Sequence, residues 1–202
     1  MRNILIMAAT LIILAGCGGD DSVQILKNAD NYFPMEPGDT WYYTYYAPED
    51  TFPIVRQIAN DTVLISDSCF PVLEDGDIAQ CWTKDSIGLH INYMLFHYKV
   101  QPPLLIPFSQ RSDEPYAYNS NAIHISNPDN VIKIQGTLTF GGYVNKTVPA
   151  GTFKNCIKLR YDEAGDYSET YYEYYASGVG LLDDGNRVLD SAFIDGVKYP
   201  TP

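Results

Sequence analysis

The residues most able to do chemistry are the carboxylates, histidines, cysteines and tyrosines. Acids cluster at Glu74/Asp75/Asp77, Asp162/Glu163/Asp166 and Asp183/Asp184. A pair of carboxylates facing one another across a cleft is the machinery of glycoside hydrolysis. Each cluster, however, has a glycine close by, as a turn does, and a solvated turn is the ordinary home of such acids. The three histidines, His90, His97 and His124, are scattered, and neither C-x-x-C nor H-E-x-x-H occurs. G-x-S-x-G, the phosphate loop and the dinucleotide fingerprint are also missing. The expectation is therefore no catalytic residue, no metal and no diffusible cofactor. Tyrosine is unusually frequent, 17 in 202 residues. Tyr43, Tyr45, Tyr172 and Tyr174 are the candidate platform for stacking on sugars or packing on an apolar ligand; the alternative is that these rings form core or cross-strand ladders. Cys69 and Cys81 flank a turn-like Glu74–Asp77 stretch and read either as a hairpin disulfide or as two small buried hydrophobes. Cys156 is then left over, more in keeping with a buried thiol than with a nucleophile.

Cys17 stands apart from the other three. A single positive charge, Arg2, precedes an apolar run from Ile4 to Leu14, too short for the roughly 20 residues that span a hydrocarbon core. This is the layout of a secretory signal. It ends in Leu14-Ala15-Gly16-Cys17, which resembles the lipobox of bacterial lipoproteins. That resemblance implies acylation of the Cys17 thiol by palmitate-type lipid, cleavage before it, and anchoring of the mature chain by its acyl chains. The expected organisation is a lipoprotein signal peptide at 1–16, a lipidated tether at 17–30 and one β-rich domain at 31–202. Gly18-Gly19-Asp20-Asp21-Ser22 cannot bury apolar surface and reads as a flexible leash. The expected location is the bacterial cell envelope as an outer-membrane lipoprotein, with periplasmic and surface-facing orientations both open.

Composition narrows the partners. The formal net charge is −12, with 13 basic and 25 acidic residues. Nucleic acid requires clustered Lys and Arg and is excluded as a partner. An acidic chain is also repelled by anionic lipid, so contact with the membrane runs through the lipid anchor.

The elements that must position these groups read as strands. After residue 17 no segment sustains helical periodicity; Val23–Asp30 is the one helical candidate. Ile87, Leu89, Ile91 and Tyr93 alternate with polar or small residues, as do Ile132, Ile134, Gly136 and Leu138. Trp41–Tyr46 carries aromatics on both faces and is expected to be covered twice or to line a groove. Residues 101–107, with three prolines, are expected to be an extended edge or crossover rather than a central strand, and 118–130 an exposed loop with one short strand. Near the end, Lys158 and Arg160 are expected to face Glu169, Tyr171 and Glu173 across a hairpin, keeping the acids out of the core. The fold class is all-β, mostly antiparallel, with roughly eight to eleven short strands in a single curved sheet, half-barrel or open barrel.

Three segments, YFPMEPGDTWYY (32–43), VPAGTFKNCIKLRY (148–161) and YYASGVGLL (174–182), together resemble a group of bacterial lipoproteins with V-P-A-G-T-F and Y-x-A-x-G-V-G-L motifs. The resemblance implies the curved sheets and half-barrels of periplasmic lipoprotein carriers, and a packing role for Cys156; it brings no catalytic residues. The function this supports is a membrane-anchored, non-catalytic β-domain that binds a carbohydrate, a lipid or an envelope protein. The alternatives are a half-barrel carrier or acceptor of acyl chains, and an envelope hydrolase.

Overall fold

The computed structural model describes residues 23–60, 63–65, 67–95, 97–166 and 168–200. The expected signal segment, the lipidation site Cys17 and the leash Gly18–Ser22 lie outside the described residues. In chain order the elements are β1 (Ile25–Leu26), a 3-10 turn (Ala29–Tyr32), β2 (Thr40–Tyr46), β3 (Thr51–Ile58), β4 (Val63–Ile65), β5 (Asp67–Glu74), β6 (Asp77–Lys84), β7 (Gly88–Met94), β8 (Tyr98–Pro107), β9 (Gln110–Arg111), β10 (Tyr116–His124), β11 (Val131–Val148), β12 (Gly151–Glu163), β13 (Thr170–Ala176), β14 (Gly180–Asp183), β15 (Arg187–Ile194) and β16 (Val197–Tyr199).

The chain is all-β and antiparallel, and its main sheet closes into a 12-strand barrel. The circuit runs β2-β3-β5-β6-β7-β8-β10-β11-β12-β13-β14-β15 and returns from β15 to β2. This corrects the expected half-barrel or open sheet. The closing contact is a short one, Asp183 opposite Val188 between β14 and β15. Asp183-Asp184-Gly185-Asn186 makes the tight turn that brings them together, with Gly185 at φ 92° and its N–H bonded to Asp183 Oδ1 at 2.7 Å. Gly-rich turn chemistry is visible in the sequence, but pairing between strands remote in the chain is not.

The loop expected at 118–130 holds much of a nine-residue strand, and the edge expected at 101–107 is part of the wall. Residues 116–124 form β10, paired on both sides. Exposed Asn119 and Asn121 alternate with Tyr118, Ser120 and Ala122, which are buried in the wall. β8 is also inside the wall despite its prolines. Leu104–Pro107 pairs with β7, Val100 and Gln101 pair with β10, and Tyr98 and Lys99 pair with both; the β7–β8 register slips between Lys99 and Leu104. Pro102 and Pro103 occupy the slip, where no ladder donor is needed.

Residues 23–30 pack against the barrel. Leu26 and Ala29 are fully buried. Val23–Asp30 is not an α-helix but a β1–β9 bridge followed by the 3-10 turn. This segment closes one end of the barrel, the base. Ala29 N donates to Phe108 O at 3.3 Å, Gly178 N donates to Asn31 O at 2.7 Å, and Lys84 pairs with Asp30 at 2.9 Å. Phe33 then packs inside, with its ring 5.7 Å from Phe108 and 4.8 Å from Tyr175. At the opposite end lie the β12–β13 and β14–β15 turns, which form the mouth.

Candidate functional site: the barrel lumen

A cavity of about 430 Å3 occupies the barrel above this base. Its floor is Tyr32, Phe33 and Pro34. Its upper rim includes Glu169, Gly185 and Asn186, all exposed, so the cavity reaches solvent at the mouth. Strand alternation divides the wall into two arcs. Trp82 of β6, Leu89 and Ile91 of β7, Leu104 and Ile106 of β8, and Ile134 of β11 supply an apolar arc. Arg56 of β3, Glu163 of β12, Tyr171 and Glu173 of β13, Asp184 and Arg187 supply a polar arc.

The polar arc is built around Glu74. One oxygen, Oε1, accepts from Arg56 Nε at 3.0 Å, from Arg56 Nη2, and from Arg187 Nη1 at 2.7 Å. Arg187 also donates from Nε and Nη2 to Asp184 Oδ2, each at 2.6 Å. Burial alone would raise the Glu74 carboxyl, but the two guanidiniums outweigh it and hold it below the usual carboxylate range. Both arginines are thus matched by carboxylates of the same wall. Arg56 lies 6.0 Å from the centre of the Trp82 ring, joining the two arcs.

A second group has no cationic partner among the described residues. Glu173 Oε2 accepts the Tyr175 hydroxyl at 2.7 Å, and the Tyr161 hydroxyl lies against the same carboxyl. Glu163 Oε1 accepts the Tyr171 hydroxyl at 3.1 Å. Burial pushes both carboxyls above their ordinary range; the hydroxyls oppose this shift without cancelling it. The Tyr161 and Tyr171 rings stack at 4.8 Å, nearly parallel.

Glu173 reaches the lumen because the terminal hairpin takes a register other than the expected one. Lys158 pairs with Tyr174 and Arg160 with Tyr172, while Leu159 faces Glu173 and Tyr161 faces Tyr171. The outer face therefore carries a cation–ring ladder, beside the Lys146–Asp183 and Arg160–Asp162 ion pairs, rather than ion pairs across the β12–β13 hairpin. Lys158 Nζ is 4.1 Å from the Tyr172 ring centre, and Lys146 Nζ is 4.0 Å from that of Tyr174. The slip buries an acid, but this interior is polar, and two tyrosine hydroxyls meet the carboxyl.

The four tyrosines considered as one platform are divided between two faces. Tyr43 is buried in the lumen and donates to Leu181 O at 3.0 Å; Tyr45, on the same side, stacks on Phe52 at 5.0 Å. Tyr172 and Tyr174 are outside, under the lysines. The lumen rings are Trp41, Tyr43, Trp82, Tyr161, Tyr171 and Tyr175. Cys69 and Cys81 are joined by a disulfide with Cα atoms 5.7 Å apart, packed with Tyr93 on the outer side of the wall. It links the strands diagonally, since Cys81 lies directly opposite Pro71. Cys156 is buried, its Sγ 3.4 Å from Phe153 O, and burial raises its thiol pKa. His97 and His124 rings lie 5.9 Å apart, His90 sits by Asp85, and no metal-holding group of residues occurs among the described residues.

Arg56 and Arg187 line the lumen and lie outside the acids and tyrosines singled out from the sequence. A signal existed for Arg56: in Thr51–Ile58 it shares the period-2 face of Ile54 and Ile58, which marks a charge aimed inward. Among the turn acids, Glu163 and Asp184 face the lumen, whereas Asp75 caps the β5–β6 turn and accepts Val55 N at 2.9 Å.

No protein-family model matches the chain, and neither does any curated protein sequence. Among solved structures, the barrel is similar to a candidate lipoprotein from Parabacteroides distasonis ATCC 8503. The TM-score is 0.54 at 18% sequence identity, over 80% of this chain and 97% of that one. At that identity the likeness is one of fold.

Proposed function

We propose that the protein is an envelope lipoprotein whose barrel binds one compact, amphipathic small molecule in its lumen, without catalysing its conversion. The observation that carries this reading is the cavity itself. It is about 430 Å3, floored by aromatic residues, open at one end, and split into an apolar and a charged arc. Small-molecule sites have this size and this mixture of apolar lining with a few fixed polar groups. The arginines are already engaged with Glu74 and Asp184, so the polar arc is preorganised. A long acyl chain would need an interior apolar throughout, and the Arg56–Glu74–Arg187 network opposes it. Attachment through Cys17 would keep the binding domain at the membrane surface, on a leash of acid and glycine.

The test is uptake of a neutral fluorescent probe, N-phenyl-1-naphthylamine, by the soluble domain. Wild-type protein should take up one equivalent with enhanced emission. Leu104→Trp, which fills the apolar arc, should abolish uptake while the far-ultraviolet circular dichroism stays that of a β-protein. Equal uptake by the filled variant, or none by the wild type, would refute lumen binding.

A further inference from the structure

We infer that the ligand of this lumen carries a cationic amine at one end and a compact apolar body at the other; this rests on the lumen-binding reading above. The charge pattern of the cavity points there. Arg56 and Arg187 are consumed by Glu74 and Asp184 in ion pairs of the wall itself. Glu163, Glu169 and Glu173 line the same cavity and form no ion pair among the described residues. The unbalanced charge of the lumen is therefore negative, and a ligand carboxylate or phosphate would meet three acids and no unpaired cation.

Glu173 is the anchor. It is enclosed on β13 between Tyr175 of its own strand and Tyr161 of β12, with Asp184 and Arg187 acting on it from the β14–β15 side. Tyr161 and Tyr171, stacked on each other, line the same space with Tyr175 and Tyr43. Rings and a desolvated carboxyl together make a receptor for an ammonium group, since each attracts a cation and neither attracts an anion. Hydroxyl donors hold the carboxyl in place but do not neutralise it. An arriving ammonium would supply the missing counter-charge. From the polar arc the cavity runs to Leu104, Ile106, Trp82 and Ile134, which sets where an apolar body would lie. The carboxyl is then a positioning and specificity-determining group, not a reacting one.

Three six-carbon probes of equal length decide this: n-hexylammonium, n-hexanol and n-hexanoate, titrated calorimetrically into the domain at pH 7.5. Hexylammonium should bind about tenfold more tightly than hexanol, the size expected of one desolvated cation–ring and carboxylate contact, with hexanoate weakest. In Glu173→Gln the ratio of ammonium to alcohol affinity should fall to near one, folding being checked by circular dichroism. Hexanoate or hexanol matching hexylammonium in the wild type would overturn the amine assignment and leave lumen binding standing. Failure of all three, in protein that also excludes N-phenyl-1-naphthylamine, would overturn both. The wild-type comparison is decisive even if Glu173→Gln does not fold.

Discussion

Removing the Glu74 carboxylate is the sharpest test of how this barrel tolerates charge inside it. In Glu74→Gln the shape persists but the charge shared by two guanidiniums is lost. Arg187 keeps Asp184 at 2.6 Å, while Arg56, whose side chain is 7% exposed, keeps no carboxylate. Stranding one partner of a buried pair costs about 3–5 kcal/mol. Glu74 is 21% exposed and the cavity admits water, so the lower end, about 3 kcal/mol, is expected. Urea denaturation at pH 7 reads this directly. With a slope of roughly 2 kcal/mol/M, the midpoint should fall by about 1.5 M at constant slope. Adding Arg56→Met should recover much of the loss, because the orphaned charge is then gone, giving a coupling of about 2 kcal/mol. The sign with pH follows from the held-down carboxyl. Its stabilisation is present above the unfolded value of 4.5 and disappears as pH falls through the lower folded value. Glu74→Gln should therefore lack that part of the acid limb. A loss below about 1 kcal/mol, or a double variant whose cost equals the sum of the singles, would refute the reasoning.

Other expectations follow from the same contacts. Cys69→Ser/Cys81→Ser should lose about 3 kcal/mol by chain-entropy reckoning for a separation of 12 residues, measurable as a lower urea midpoint. Glu173→Gln should act oppositely to Glu74→Gln in its pH dependence. The Glu173 carboxyl is raised in the fold, so its protonated form favours folding and stability declines as pH rises from 4.5 through that raised value. The amide should flatten the decline and be at least as stable as the wild type at pH 7. Phe33→Ala removes the floor ring packed on Phe108 and Tyr175 and should cost about 3–5 kcal/mol in thermal or urea unfolding. Lys158→Ala, on the outer ladder, should change stability by about 0.5–1 kcal/mol only.

Local alternation was legible and remote pairing was not. Trp41 and Tyr43 inside with Tyr42 outside, and Ile157, Leu159 and Tyr161 on one face, follow from period 2 alone. The hairpin register was misjudged because opposite charges were assumed to meet across strands. That rule holds for an exposed sheet, but inside a polar lumen tyrosine hydroxyls satisfy an acid as well as lysine would. Closure was invisible because it depends on β2 meeting β15, some 150 residues apart in the chain, and on the short β14. Leu104–Pro107 was expected as an edge and pairs with β7, while Pro102 and Pro103 fall at the register slip, where their missing donors break no ladder. The inward aim of Arg56 follows from β3 alternation only once it is known that β3 encloses something.

The β14–β15 junction gives the cylinder an uneven hoop strength. β11 and β12 share a long ladder, whereas the junction rests on Asp183 opposite Val188. Thermal breathing should begin along this seam, with amides of residues 180–188 exchanging ahead of those in β11 and β12. Because Asp184 and Arg187 sit in that turn, each opening also loosens one end of the charged arc. The weakest line of the cylinder is thus a four-residue strand, which can part from its neighbour without melting the rest of the wall.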